Sequence, residues 1–302
     1  MIIARVFPTL TEATPCDPLA FVGVPPMLFP PDVDEVHISV SFDWDKSQVD
    51  FLIKQWEIIA PVKYGGPAFG DSNGDFISGM YLKRGYVITS RGCPNKCPKC
   101  LVPEREPIFK ELPICEGWIV QDNNLLACSE KHIRAVFAML ARQKSKAVFS
   151  GGIEAALLKS WHVQLFAWLR PAQIFFAYDY PADYEPLRVA AKMMKDAGFN
   201  RNVLRSYVLC GQENDTIEKA EVRMWQVVEL GIYPFCMVLC DPKTGTINPY
   251  WSDFQRQWTR PAIIATREKQ QKQLKPSPCQ FFSEGQNCMN PGRCINEPEI
   301  EQ

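Results

Sequence analysis

Between residues 86 and 239, short apolar runs alternate with longer amphipathic stretches, and this alternation constrains the fold more than any other feature of the chain. Runs at 86–90, 118–121, 146–150, 173–178, 205–209 and 232–239 have strand length, while stretches near 130–142, 154–169, 184–197 and 215–230 repeat apolar residues at helical spacing. Strands that alternate with helices predict a parallel sheet, because each helix carries the chain back to start the next strand in the same direction. Gly198 and Gly231 each follow a helical stretch and precede a run, which predicts left-handed helix ends. Asp215 and Glu218 read as a helix start with a capping-box-like pair. In such sheets ligands gather beyond the C-terminal ends of the strands. The residues directly after each run are therefore the candidates for chemistry.

The first run leads into Arg91-Gly92-Cys93-Pro94-Asn95-Lys96-Cys97-Pro98-Lys99-Cys100. Cys93, Cys97 and Cys100 are spaced C-x3-C-x2-C in a loop held open by Gly92, Pro94 and Pro98. Three thiolates from one short loop can hold three irons of a [4Fe-4S] cube and leave the fourth iron open. A structural zinc knuckle is the other use of such a loop.

The strand, the R-G-C-P start and the cysteine spacing resemble the radical S-adenosylmethionine (SAM) superfamily, in particular its methylthiotransferase and cobalamin-associated branch. The resemblance implies an open (β/α)6 partial TIM barrel, a [4Fe-4S] cluster on Cys93, Cys97 and Cys100, and SAM bound at the open iron. It further implies reductive cleavage of SAM to start hydrogen-atom abstraction, with an electron from a reductant protein such as a flavodoxin or ferredoxin. A nucleic-acid base or nucleotide is the first substrate class the analogy offers; a small metabolite or peptide is equally compatible with the fold. The family usually has an aromatic residue before the third cysteine, where this chain has Lys99.

Segments after the later runs extend the resemblance. Gln121-Asp122-Asn123-Asn124 is similar to a D-D-N segment, Gly151-Gly152-Ile153-Glu154 resembles the G-G-E segment, and Gly211-Gln212 opens a partial match to G-x-P-G-E-T. Asp122, Asn123, Gly151, Gly152, Glu154, Gly211 and Gln212 are thereby candidates for SAM, with either Asp122-Asn123 or Gly151-Gly152 meeting its amino group. Asp179, after the fourth run, is a candidate for ribose or substrate. Asp and Asn also make ordinary turns, and paired glycines ordinary strand-to-helix loops.

Residues 1–80 read as a Pro-rich strap over 8–32 followed by a small βαβ cap: a strand from Glu35, a helix over 45–59 and a strand at 62–64. The cap resembles a shortened Rossmann-like domain without the D-x-H-x-x-G motif of cobalamin binders. The barrel is assigned to 81–245, an aromatic and polar helical extension to 246–275, and a Cys-rich tail to 276–302. Trp251, Phe254 and Trp258 fall at helical spacing and read as core. In the tail, Cys279, Cys288 and Cys294 are spaced C-x8-C-x5-C and resemble a CCCH zinc finger in which Pro298 replaces the histidine. Zinc or a second iron-sulfur cluster is expected there.

With 302 residues, 46% of them hydrophobic, and a formal charge of -1, the chain is expected to be globular, and its total charge gives no sign of a polyanion partner. The central cysteines have metal spacing rather than the pattern of a secreted disulfide scaffold. Together with the lack of a signal peptide or membrane-length apolar stretch, this predicts a cytoplasmic protein without a membrane partner. The competing class is a non-catalytic zinc or iron-sulfur protein that binds RNA or senses redox state.

Overall fold

The computed structural model describes residues 1–72, 76–77, 79–98, 100–241 and 243–274. The fold is α/β, with two parallel sheets and no closed barrel. The first sheet holds β1 (Ile3–Phe7), β2 (Ala20–Val22), β3 (Glu35–Ser39) and β4 (Val62–Gly65) in the order β2-β1-β3-β4, all pairs parallel. After β3 comes a 3-10 segment, Asp43–Gln48, and then α1 (Val49–Trp56), whose Val49, Leu52 and Trp56 are buried on the sheet's core. The βαβ cap is thus present but larger than expected. Ala20–Val22 lies within the predicted strap yet pairs with β1, and Trp56 Nε1 donates to Gly23 O at 2.9 Å, which fastens the chain just after β2. Prolines exclude helix here, but they leave room for a three-residue edge strand between them.

The second sheet starts with β5 (Tyr86–Val87). A short antiparallel pair, β6 (Ser90–Arg91) and β7 (Lys110–Glu111), comes next in the chain, with α2 (Val102–Arg105) between its two strands. The chain continues through β8 (Ile119–Val120), α3 (Glu130–Ala141), β9 (Val148–Ile153), α4 (Ser160–Leu169), β10 (Gln173–Tyr178), α5 (Tyr184–Asp196), β11 (Leu204–Cys210), α6 (Ile217–Glu229) and β12 (Tyr233–Val238). The six strands β5, β8, β9, β10, β11 and β12 lie side by side in sequence order and are all parallel. Each arises at one of the six predicted runs. Sequential order with right-handed crossovers puts the helices on one face. Leu204, Val208 and Cys210 of β11 accordingly share a core with Ala220, Met224 and Val227 of α6. The other face carries Phe175, Tyr207 and Phe235; Phe175 stacks on Tyr207 at 4.6 Å and Phe235 meets Tyr207 edge-on at 5.7 Å.

Gly198 and Gly231 end α5 and α6 with φ of 90° and 75°, as the pattern predicts. The start of α6 differs from expectation: Thr216 is the cap, accepting from Lys219 N at 3.3 Å, while Asp215 turns back to hold Gly211 N and Arg223. The chain then forms α7 (Pro249–Trp258) and α8 (Pro261–Leu274). Phe254 and Trp258 are buried, Trp258 sits edge-on to Trp225 at 5.0 Å, and Arg267 lies over Trp258 at 4.5 Å, so the aromatic stripe is core.

One short segment of the first unit meets the connections that follow both edge strands of the second sheet. Asp43 pairs with Arg105, at the end of α2, and Trp44 lies against Gly245 beyond β12, so that a Cβ there would stand 2.7 Å from the indole. Since β5 and β12 are opposite edges, their C-terminal loops must come within the reach of two adjacent side chains. Among the described residues, no helix is long and apolar enough to cross a membrane.

Candidate metal centre

The residues just after β5 set the cysteine loop. Asp122, just past β8, is 2% exposed, and its carboxylate accepts from Thr89 N at 2.5 Å, from Thr89 Oγ1, and from Ser90 Oγ at 3.0 Å. Burial pushes the Asp122 carboxyl above its usual range, and those hydrogen bonds pull it back. Asp122 therefore anchors the strand that enters the loop, with its oxygens already engaged. Arg91, next along the chain, pairs with Glu106 at 2.6 Å, and Gly92 N donates to Glu106 at 3.1 Å. Gly92 has φ of 76°, and a Cβ there would lie 2.6 Å from Ile108 O, so both conformation and space require glycine.

Beyond that anchor, Cys93 is half-buried, Cys97 exposed and Cys100 half-buried, and all three are free thiols. Asn124 Nδ2 donates to Cys93 Sγ at 3.4 Å, and Cys100 N donates to Cys97 O at 3.1 Å. Burial, first, and then the Cys100, Glu154, Cys93 and Asp183 charges push the Cys97 thiol up; burial and the charges of Cys93 and Asp179 do the same to Cys100, against a hydrogen bond from the Val102 backbone. The three sulfurs thus lie within electrostatic reach of one another and of the carboxylates at the next strand ends. Among the described residues, no group of three or more His, Cys, Asp or Glu converges as a single metal ion would require.

Asn95 Nδ2 donates to Glu154 Oε2 at 2.8 Å, tying the loop to the end of β9. Burial raises the Glu154 carboxyl and Asp183 raises it further. Asp179, at the end of β10, is pushed up to about 6 by burial, then by Asp183 and Glu154. Among the described residues, no Lys or Arg is among the groups that shift either acid. Asp183 Oδ2 accepts from the backbone of Asp179 and Tyr180 at 2.9 and 2.8 Å, which fixes this turn. Gln212 Nε2 donates to Asp179 O at 2.9 Å, joining the ends of β10 and β11. Gly211 N is held by Asp215 at 3.0 Å, and Asp215 by Arg223 at 2.7 Å.

The two glycines after Ser150 have different reasons to be glycine. A Cβ on Gly151 would stand 2.1 Å from Asp122 O, so it is a close approach between strand ends. Gly152 has φ of 90° and open space beside it. Of the sequence candidates, Glu154 and Asp179 share one acidic cluster with Asp183 beside the thiols, and Gln212 reaches Asp179. Asp122 and Gly151 are engaged in the strand ends themselves. Asn123 lies nearby with its Oδ1 buried, and neither it nor Asn124 Oδ1 has a hydrogen-bond partner among the described residues. Lys99 and the tail residues Cys279, Cys288 and Cys294 lie outside the described residues.

The pattern alone missed Thr89, Ser90, Glu106, Asn124 and Asp183. Only Asn124, third in the Asp122-Asn123-Asn124 run, had a signal in the sequence. Comparison with protein-family models, with curated proteins and with solved structures finds no match.

Proposed function

We propose that this chain is a radical SAM enzyme. The observation that carries the reading is the position of the cysteine loop: it follows the first strand of a six-stranded parallel sheet in sequential order and is tied to the end of the third. The contact of residues 43–44 with the connections that follow both edge strands is compatible with a curled, partial-barrel form, in which strand ends converge on a common mouth.

The type and spacing of the three thiols suit a cluster. Cys93, Cys97 and Cys100 would hold three irons, and the Cys97 and Cys100 thiols, pushed up by burial and by neighbouring charges, are relieved when a cationic centre takes their protons' place. When bound, such a cluster supplies the electron that cleaves SAM reductively. The chain's own groups do the rest. Asn124 donates to the Cys93 sulfur, Asp122 fixes the strand that carries the loop, and the orphaned carbonyl oxygens of Asn123 and Asn124 can accept from a ligand. Among the described residues, no cation is among the groups that shift Glu154 and Asp179, and this acidic mouth suits the ammonium and sulfonium of SAM. The reductant protein, a nucleic-acid base or nucleotide as substrate, and zinc or a second cluster on Cys279, Cys288 and Cys294 belong to the same proposal.

The test is SAM cleavage. Anaerobically reconstituted protein with dithionite is expected to convert SAM to 5′-deoxyadenosine and methionine. No product from protein that carries iron and sulfide would overturn the reading.

A further inference from the structure

A groove of about 640 Å³ runs between the first unit and α2, directly after the third cysteine. Asp43, Lys46, Phe69, Leu101 and Arg105 line it. Its volume is in the range of small-molecule sites, which favour such junctions. The junction is tight at its base: Gly70 has φ of 69°, and a Cβ there would meet Arg105 O at 2.7 Å.

Two cations from different parts of the chain converge here on one carboxylate. Lys46 Nζ lies 2.8 Å from Asp43 Oδ1, while Arg105 Nη2 holds Asp43 Oδ2. Lys46 also stands 5.4 Å from the centre of the Phe69 ring. An arginine fork and a lysine point charge aimed at one pair of oxygens is the geometry by which proteins bind oxyanions. Asp43 brings one negative charge to that place, whereas a phosphate ester can bring close to two and more acceptor oxygens. Such a group therefore competes for both cations. Leu101 is 43% exposed and offers an apolar bed beside them. Glu104, also on the lining, is exposed and works against an anion.

We propose that this groove binds a phosphate-bearing molecule, with its phosphate on Lys46 and Arg105 in exchange for Asp43. That this molecule is the substrate rests on the radical SAM reading, since Leu101 adjoins Cys100; binding itself does not. The phosphate can belong to a free mononucleotide-sized ester or to the terminal monoester of an RNA chain, either of which brings the second charge that a phosphodiester lacks.

The test is calorimetric titration of the full chain with UMP, with uridine and with an eight-nucleotide RNA that carries a 5′-phosphate. UMP or the RNA should bind at least tenfold more tightly than uridine; UMP as the tighter identifies a free ester, and the RNA a phosphorylated chain end. Lys46→Ala should weaken that binding about tenfold. Asp43→Asn and Glu104→Gln should each strengthen it, a gain that a purely structural ion pair would not give. No preference over uridine, or indifference to Lys46→Ala and Asp43→Asn, would overturn the assignment. Phosphate binding retained in a chain that does not cleave SAM would leave the groove standing and count against the activity. SAM cleavage without phosphate binding would do the reverse.

Discussion

Glu35 in the first parallel sheet and the acids Glu154 and Asp179 at the end of the second are treated in opposite ways. In the first sheet, Glu35 accepts from His37 at 2.8 Å and lies 3.0 Å from Lys63, and those hydrogen bonds, His37's the larger, lower its pKa; His37 is in turn bonded to Tyr81. At the ends of the second sheet, Glu154 and Asp179 are raised by burial and by neighbouring acids, and among the described residues no cation is among the groups that shift them. Paired charge of the first kind holds a fold together. Like charge gathered without a counter-ion opposes folding, and its persistence at one sheet end marks the place where a cationic ligand is expected.

The largest effect separating the two sheets should come from the cysteine loop. Cys97→Ala is expected to abolish SAM cleavage and lower iron content while circular dichroism stays unchanged; retained cleavage would sink the assignment. Asp122 and Asp179 come next, because they should move stability in opposite directions. Asp122→Ala strands Thr89 and Ser90 in a buried site and should cost about 2–4 kcal/mol in urea unfolding. Asp179 has a folded pKa of about 6, above its unfolded value of 3.8. The stability it gives is therefore complete below the unfolded pKa and lost as pH rises through 6. Asp179→Asn should consequently be more stable than wild type at pH 7, by on the order of 1–2 kcal/mol, with the gain vanishing near pH 4. Equal behaviour at the two pH values would show that the acid is solvated.

Smaller effects sharpen the same contrast. Gly151→Ala drives a methyl into Asp122 O and should cost about 2–3 kcal/mol, whereas Gly152→Ala meets only the backbone penalty of its positive φ, about 1 kcal/mol. Thermal unfolding of the two variants decides whether the close approach is real. His162 is buried, accepts from Lys159 N at 3.0 Å, and is pushed down to about 4 by burial and then by the Lys159 charge. Its neutral form is favoured in the fold, so the stability it gives is present above pH 6.5 and lost as pH falls toward 4. His162→Gln should flatten that slope, measured as the urea midpoint at pH 7 and pH 4.5.

The sheet order of the larger unit was legible because its signal is local: six apolar runs, each followed by turn chemistry, leave few parallel arrangements. The first unit was half legible. β3, α1 and β4 have periodicity, but β2 is three residues among prolines and shows no pattern until its pairing with β1 is seen. At the site, chemistry by residue type was visible and direction was not. Asp122 read as a ligand contact, yet its partners Thr89 and Ser90 lie more than thirty residues earlier, and no local rule turns its carboxylate inward. Asp215 read as a cap for the same reason; its partner Arg223 is eight residues on, two turns along α6. The groove at Lys46 and Arg105 was invisible because it exists only once two distant segments meet.

The measurement that tests the central claim most directly is the EPR spectrum of anaerobically reconstituted, reduced protein with and without SAM, alongside its iron and sulfide content. A [4Fe-4S] signal that shifts when SAM is added is the result expected of an open iron held by Cys93, Cys97 and Cys100. Zinc without iron, or a cluster signal that SAM leaves unchanged, would contradict it.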